Sequence, residues 1–154
     1  MSRYSDDAFV KALVRQADTL LAQLGLPRTF TLADLHARVE SRRGRRVHIR
    51  PHPLPSQGPH GLWVTGETDD YIFVDDSAPP LRRAQIIGHE FGHILFDDHG
   101  GPLDHDHLAD LLPTGELAPV MARSLVGCTR SGYDEMIEQR CEWFGTVVLQ
   151  RLRL

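Results

Sequence analysis

Apolar residues recur at helical spacing in the first segment, Ser5 to Leu24, where Phe9, Leu13, Ala17, Leu20, Leu21 and Leu24 fall on one face. Ser5 stands where an N-cap is needed, and Gly25 and Pro27 follow the last apolar position, so the pattern predicts an amphipathic helix. Thr31 followed three residues on by Asp34 has capping-box spacing, and Leu32, Leu35 and Val39 carry an apolar stripe toward a stop at Gly44, which predicts a second, shorter helix. The period then changes. Arg46-Val-His-Ile-Arg50 alternates, Gly61 to Thr65 is β-prone, and Tyr71 to Val74 is β-branched and aromatic, with turn residues between them, so these three runs predict a small three-stranded sheet. Ser77-Ala-Pro-Pro opens a third helix with Ser77 as its cap, and Leu81, Ile86, Ile87, Phe91, Ile94, Leu95 and Phe96 give it a wide apolar face before Gly100-Gly101. From Gly101 to Gly132 the pattern weakens, and Leu108 to Leu112 and Leu117 to Val126 are candidates for short helices. A last helix opens at Ser131 and runs through Met136, Ile137, Trp143, Phe144, Val147, Val148 and Leu149, with Gly145 inside it.

At 154 residues, with 41% hydrophobic and 25% charged, the composition is that of an ordinary globular chain, and one domain over 1–154 is expected. A chain of this length buries roughly 68–70% of its unfolded surface. It needs no metal for stability, so a metal here would serve chemistry. No apolar run approaches the ~20 residues of a membrane span, and the opening MSRYSDDAFV lacks a basic and then apolar leader, so a cytoplasmic protein with no membrane partner is expected. Cys128 and Cys141 are too few for a disulfide framework and are read as free thiols. A net charge of −4 argues against a dedicated nucleic-acid binder. The charge is uneven, with Arg38, Arg42, Arg43, Arg45, Arg46 and Arg50 in one stretch and Asp97, Asp98, Asp104, Asp106 and Asp110 in another. Both are read as solvated surface, with a basic docking patch as the alternative for the first.

One string carries chemistry: His89-Glu90-Phe91-Gly92-His93, an H-E-x-x-H motif within the third helix. Four helical residues place the two imidazoles ~40° apart and ~6 Å along one face, suited to a shared Zn2+. Glu90, one residue on, is placed to take a proton from a zinc-activated water as that water attacks a carbonyl. Nine histidines make such a string easier to hit by chance, yet the chance rate is still only about 2%.

A third ligand is required, leaving the fourth position for water. His99 lies six residues after His93, the spacing of the longer metzincin motif, but Phe96 occupies the position where that motif has the glycine that folds the chain back. On the last helix Glu138 and Glu142 lie one turn apart on a face shared with Gly145. Glu138 is the better ligand candidate, Glu135 a weaker one, and Glu142 is placed to accept a hydrogen bond from a ligand imidazole, with Gly145 permitting close helix approach. Cys141, also near, is read as a buried core thiol rather than a ligand. His48, His52 and His60 are read as ordinary polar residues, and His105 and His107 as part of a polar lid.

These residues resemble a known family. Tyr71-Ile-Phe-Val-Asp-Asp, an arginine at 82 or 83, and Ile87-Gly-His-Glu-Phe-Gly-His-Ile-Leu-Phe96 look like the core of the ImmA/IrrE zinc metallopeptidases. Glu138-Gln-Arg-Cys-Glu-Trp-Phe-Gly145 is similar to that family's closing E-x-x-A-N-x-F-A helix, with Cys141, Glu142 and Gly145 replacing Ala, Asn and Ala. The resemblance implies His89, His93 and Glu138 as zinc ligands, Glu90 as base, and a helix-turn-helix repressor as substrate.

The expectation is therefore an α+β, minimal zincin-like domain, with a small three-stranded sheet packed against the H-E-x-x-H helix and helices at both ends. Its outer strand, Tyr71 to Val74, would receive an extended protein or peptide substrate by β-augmentation; the oxyanion donor is not identified, with Tyr133 and His99 as candidates. No direct contact with nucleic acid is expected. The alternative is a zinc-stabilised protein-binding module that does not cut its partner.

Overall fold

In the computed structural model, which describes residues 7–54, 60–66, 68–96, 125–129 and 135–153 (the backbone alone over 125–129), the first apolar stripe forms helix α1, Asp7–Gln23. Leu13, Ala17, Leu20 and Leu21 are its buried face. The helix ends where Gly25 adopts φ 75°, with the Gly25 amide on the Ala22 carbonyl and the Leu26 amide on the Leu21 carbonyl. These two bonds satisfy the last carbonyls in a Schellman turn that glycine makes easiest. Helix α2, Leu32–Arg43, begins with the expected capping box: Thr31 Oγ1 accepts from the Asp34 amide, and the Asp34 carboxylate accepts from the Thr31 amide. It stops at Gly44, left-handed at φ 77°.

Strands β1 (Val47–His52), β2 (Gly61–Gly66) and β3 (Asp70–Asp75) form where alternation predicts them. A fourth strand, β4, spans Leu125–Thr129, so the sheet has four strands in the order β1-β3-β2-β4. Two sequence expectations are corrected here. The sheet is not three-stranded, and Leu125 and Val126 belong to a strand rather than to a helix over Leu117 to Val126. β3 is also not an outer strand: it pairs parallel with β1 (Ile49 opposite Ile72) and antiparallel with β2 (Trp63 opposite Ile72). Both rows of its backbone groups are thus engaged, and the edges belong to β1 and β4. Pro51 is tolerated within β1 because an edge strand has one side without ladder bonds.

Helix α3, Pro80–Leu95, starts on prolines rather than on Ser77. Pro79 occupies the cap position without a side-chain bond, and Pro80 brings a preset φ and no N–H to satisfy. Ser77 instead closes the turn after β3, its amide and hydroxyl both donating to Asp75 Oδ1. From Ile86 to Ile94 every residue of α3 is buried, because the helix runs through the middle of the molecule between the sheet, α2 and the last helix, α4 (Glu135–Arg151). Phe30, Leu35, Val39, Trp63, Ile72, Phe91, Phe144 and Val148 make the core around it. α4 also packs on α1, and its end is tied to the α1–α2 link by the Phe30 amide on the Arg151 carbonyl and the Arg153 amide on the Phe30 carbonyl. The expected caps Ser5 and Ser131, and the segment Leu108 to Leu112, lie outside the described residues. Among those described, no helix is long and apolar enough to cross a membrane.

Candidate metal centre

Burying His89, Glu90 and His93 in the central helix is expensive unless their polar atoms are answered, since charged and polar groups pay a desolvation penalty there. The helical spacing sets the two imidazoles side by side, ring centroids 4.9 Å apart, with their Nε2 atoms 3.2 Å from each other. Facing them across the helix crossing is Glu138 of α4. Its Oε2 is 3.0 Å from His89 Nε2 and its Oε1 is 3.0 Å from His93 Nε2. The cross-helix alternative therefore comes together, and these three residues are the one group of potential metal donors among the described residues. Glu135 is exposed at the helix start and lies outside this group. His99, Tyr133, His105 and His107 lie outside the described residues.

The approach of α3 to α4 depends on missing side chains. A Cβ at Gly145 would sit 2.8 Å from the Gln85 carbonyl oxygen and 3.0 Å from the His89 amide nitrogen, and one at Gly88 would sit 3.1 Å from Gly145 Cα. Gly145 was legible as a close-approach position; its counterpart Gly88 was not singled out, although a glycine inside an otherwise apolar helix is the signal for such a crossing.

Each imidazole is held from behind. His89 Nδ1 lies 2.8 Å from Glu142 Oε2, the role expected of that glutamate, and Glu142 is in turn held by Gln85 Nε2 at 3.4 Å, with Arg82 at 4.0 Å. His93 Nδ1 lies 3.4 Å from Sγ of Cys141, a buried thiol as expected but one that touches the site. With both Nδ1 atoms occupied in this way, both Nε2 atoms are turned toward Glu138, which is how outer groups orient metal-binding histidines. Gln85 was not foreseen, and Arg82 entered only as one of two arginines in the family resemblance with no role attached, because these contacts with Glu142 are visible only once α4 lies over α3. The side chain of Cys128 lies outside what is described.

The electrostatics follow from this crowding. Burial disfavours a charged His89, but hydrogen bonds to Glu138 and Glu142 and the nearby charge of Glu90 outweigh it and push its pKa up to about 10. Burial likewise opposes ionisation of Glu138, yet the two imidazoles bring its pKa down to about 2. Glu142 is held below the usual carboxylate range by its bond to His89. Glu90 goes the other way: complete burial raises its pKa despite the two histidines.

The Glu90 carboxylate lies close to β2. A Cβ on Gly61 would meet Ile86 Cγ2 at 2.6 Å and Glu90 Oε1 at 3.1 Å, so glycine at that position makes room for the carboxylate. Glu90 Oε2 is buried without a hydrogen-bond partner among the described residues, a state that costs about 1–3 kcal/mol and that structures retain mainly where a group has other work to do. A small cleft of about 50 Å³ leads to this carboxylate between His60, Gly61, Arg82 and Ile86. Of the three scattered histidines, His60 lines this cleft, His48 binds Asp69 and stacks on Tyr71, and His52 packs edge-on against Phe73; none joins the donor group.

The donor set can be tested for fit to a metal from its own dimensions. Ligands ~2.05 Å from a tetrahedral zinc lie about 3.3 Å from one another. Here the two Nε2 atoms are 3.2 Å apart, and each lies 3.0 Å from a different oxygen of the Glu138 carboxylate, spacings close to that value. Glu138 Oε1 moreover has no properly aligned hydrogen bond among the described residues despite its distance from His93, which suits atoms converging on a common point better than atoms bonded to each other. Two imidazoles and one carboxylate are a donor set that suits zinc, with His89 giving up its proton when the ion binds. Comparison with protein-family models, curated proteins and solved structures gives no match to this chain.

Proposed function

We propose that this protein is a zinc-dependent metallopeptidase of minimal zincin-like architecture that hydrolyses a peptide bond in a protein substrate. The observation that carries the reading is the convergence of His89 Nε2, His93 Nε2 and the Glu138 carboxylate beside the buried, unpartnered carboxylate of Glu90. His89, His93 and Glu138 would hold the ion, and Glu142 and Cys141 would keep the imidazoles turned toward it. Zinc held there supplies Lewis acidity, polarising a carbonyl and acidifying water toward pKa ~7. Glu90 moves the proton, accepting it from the attacking water and passing it to the departing amine. A carboxylate whose proton affinity is raised by burial suits both halves of that task. The resemblance of this motif set to the ImmA/IrrE peptidases points to a DNA-binding repressor as the substrate and to the cytoplasm as the place of action.

Glu90→Gln separates catalysis from binding. Metal content by plasma mass spectrometry is expected to equal that of wild type, while cleavage of a quenched-fluorescence peptide library falls about 10²–10⁴-fold. Cleavage by wild type that survives the substitution would remove Glu90 from the chemistry. Absence of cleavage in wild type, with metal retained in both, would favour the protein-binding module.

A further inference from the structure

β1 forms one edge of the sheet, and its outward backbone groups are not all engaged among the described residues. In β1 the carbonyls of Arg46 and His52 accept from the amides of Asp70 (2.9 Å) and Asp76 (3.1 Å), so the even-numbered residues turn their backbone toward β3. Val47, Ile49 and Pro51 consequently turn theirs outward. At Val47 helix α2 fills the edge: the amide donates to Glu40 Oε2 at 2.9 Å, and His36 Nε2 lies 2.6 Å from the carbonyl oxygen. Pro51 has no N–H. Ile49 is left with a donor and an acceptor facing outward and no hydrogen bond to them among the described residues.

Along this edge runs a groove of about 610 Å³ between α2, β1 and the first half of α3. Leu32, Ala84 and Ile87 give it an apolar floor, and Arg46, Arg50 and Arg83 line it with positive charge. None of these three guanidiniums has a carboxylate partner among the described residues, in contrast to Arg43 and Arg45, which share Asp70. The one acidic side chain lining the groove among the described residues, Glu40, is committed to Val47.

We infer that the free edge of β1 binds an extended acidic peptide, pairing main chain to main chain at Ile49, with an apolar residue over the groove floor and carboxylates on either side of it. A lone N–H and C=O pair is the complement of one residue in an extended chain. Side-chain alternation then sends that residue to the face of Ile49 and its neighbours to the opposite face, which carries Arg50 and Arg46. The site is independent of the peptidase reading, since β1 is two strands, about 10 Å, from the β2 strand that borders Glu90.

The test uses the full-length protein and a fluorescein-labelled hexapeptide of alternating glutamate and valine, compared with the same peptide N-methylated at its valines and with a lysine–valine peptide. Saturable anisotropy is expected for the first alone. The Arg46→Glu/Arg50→Glu double variant, or the milder Arg50→Gln if that variant does not fold, is expected to weaken binding about tenfold or more at unchanged metal content. Lack of saturation at about millimolar peptide, equal binding of the N-methylated peptide, or indifference to the arginine substitutions would each overturn the inference, the second by showing attraction of charge without strand pairing.

Discussion

Replacing Asp70 with alanine is expected to cost about 3 kcal/mol of stability, from a total of about 5–15 kcal/mol for a domain of this size. The Asp70 side chain is 0% exposed, and it receives Arg43 Nε and Arg45 Nη1, each at 2.8 Å. Arg43 also lies over the Trp63 ring, and Arg45 donates to the Gly66 carbonyl at 3.0 Å, so this one carboxylate ties the end of α2 and the start of β1 to β2 and β3. Removing it leaves two cations beside the core with their partner gone. The expected loss sits at the low end of the range for broken buried pairs because the two arginines are 16% and 19% exposed and retain some water. Urea unfolding followed by tryptophan fluorescence (Trp63 and Trp143) and circular dichroism measures it as a lower midpoint at unchanged slope. A loss under about 0.5 kcal/mol would rank the pair with ordinary surface bridges. The same contacts account for part of the arginine-rich stretch: two of its cations are structural, which no charge count along the sequence distinguishes from solvated ones.

Gly145→Ala is expected to act on stability and on the proposed metal centre together. The added methyl would face the Gln85 carbonyl oxygen at 2.8 Å and the His89 amide at 3.0 Å, and neither is a flexible side-chain end that can swing aside. α3 and α4 must therefore separate, at a cost of about 1–3 kcal/mol for overpacking. Because Glu138 and Glu142 ride on α4, the same displacement pulls both carboxylates from the imidazoles they face. Zinc affinity, measured by competition with a chromophoric chelator, is expected to fall about 10–100-fold, the range for disturbed outer groups. Stability lost with affinity unchanged would show that the glycine serves packing alone.

Where local chemistry decides the structure, the sequence is readable. The capping box at Thr31 and Asp34, the left-handed stop at Gly44 and the shared face of His89 and His93 are each set by residues within a turn of one another. Glu138 and Glu142 were legible as a pair for the same reason, though their partners across the helix crossing were a choice among candidates. What was misread depends on distant pairing. β-branched and aromatic residues identify Tyr71 to Val74 as a strand but say nothing about its neighbours, and the parallel β1–β3 ladder that occupies the edge not paired with β2 joins residues more than twenty positions apart. β4 is five residues long and includes Gly127, too little pattern to outweigh a helical reading. Ser77 was assigned the cap of α3 on residue type, whereas Asp75 captures its hydroxyl and the prolines begin the helix.

The central claim is that two helices contribute the metal ligands. Zinc per chain, measured by plasma mass spectrometry on wild type, Glu138→Ala and His99→Ala purified identically without added metal, tests it most directly. The account predicts about one zinc in wild type and in His99→Ala and a large depletion in Glu138→Ala. Full zinc in Glu138→Ala, or loss confined to His99→Ala, would contradict it.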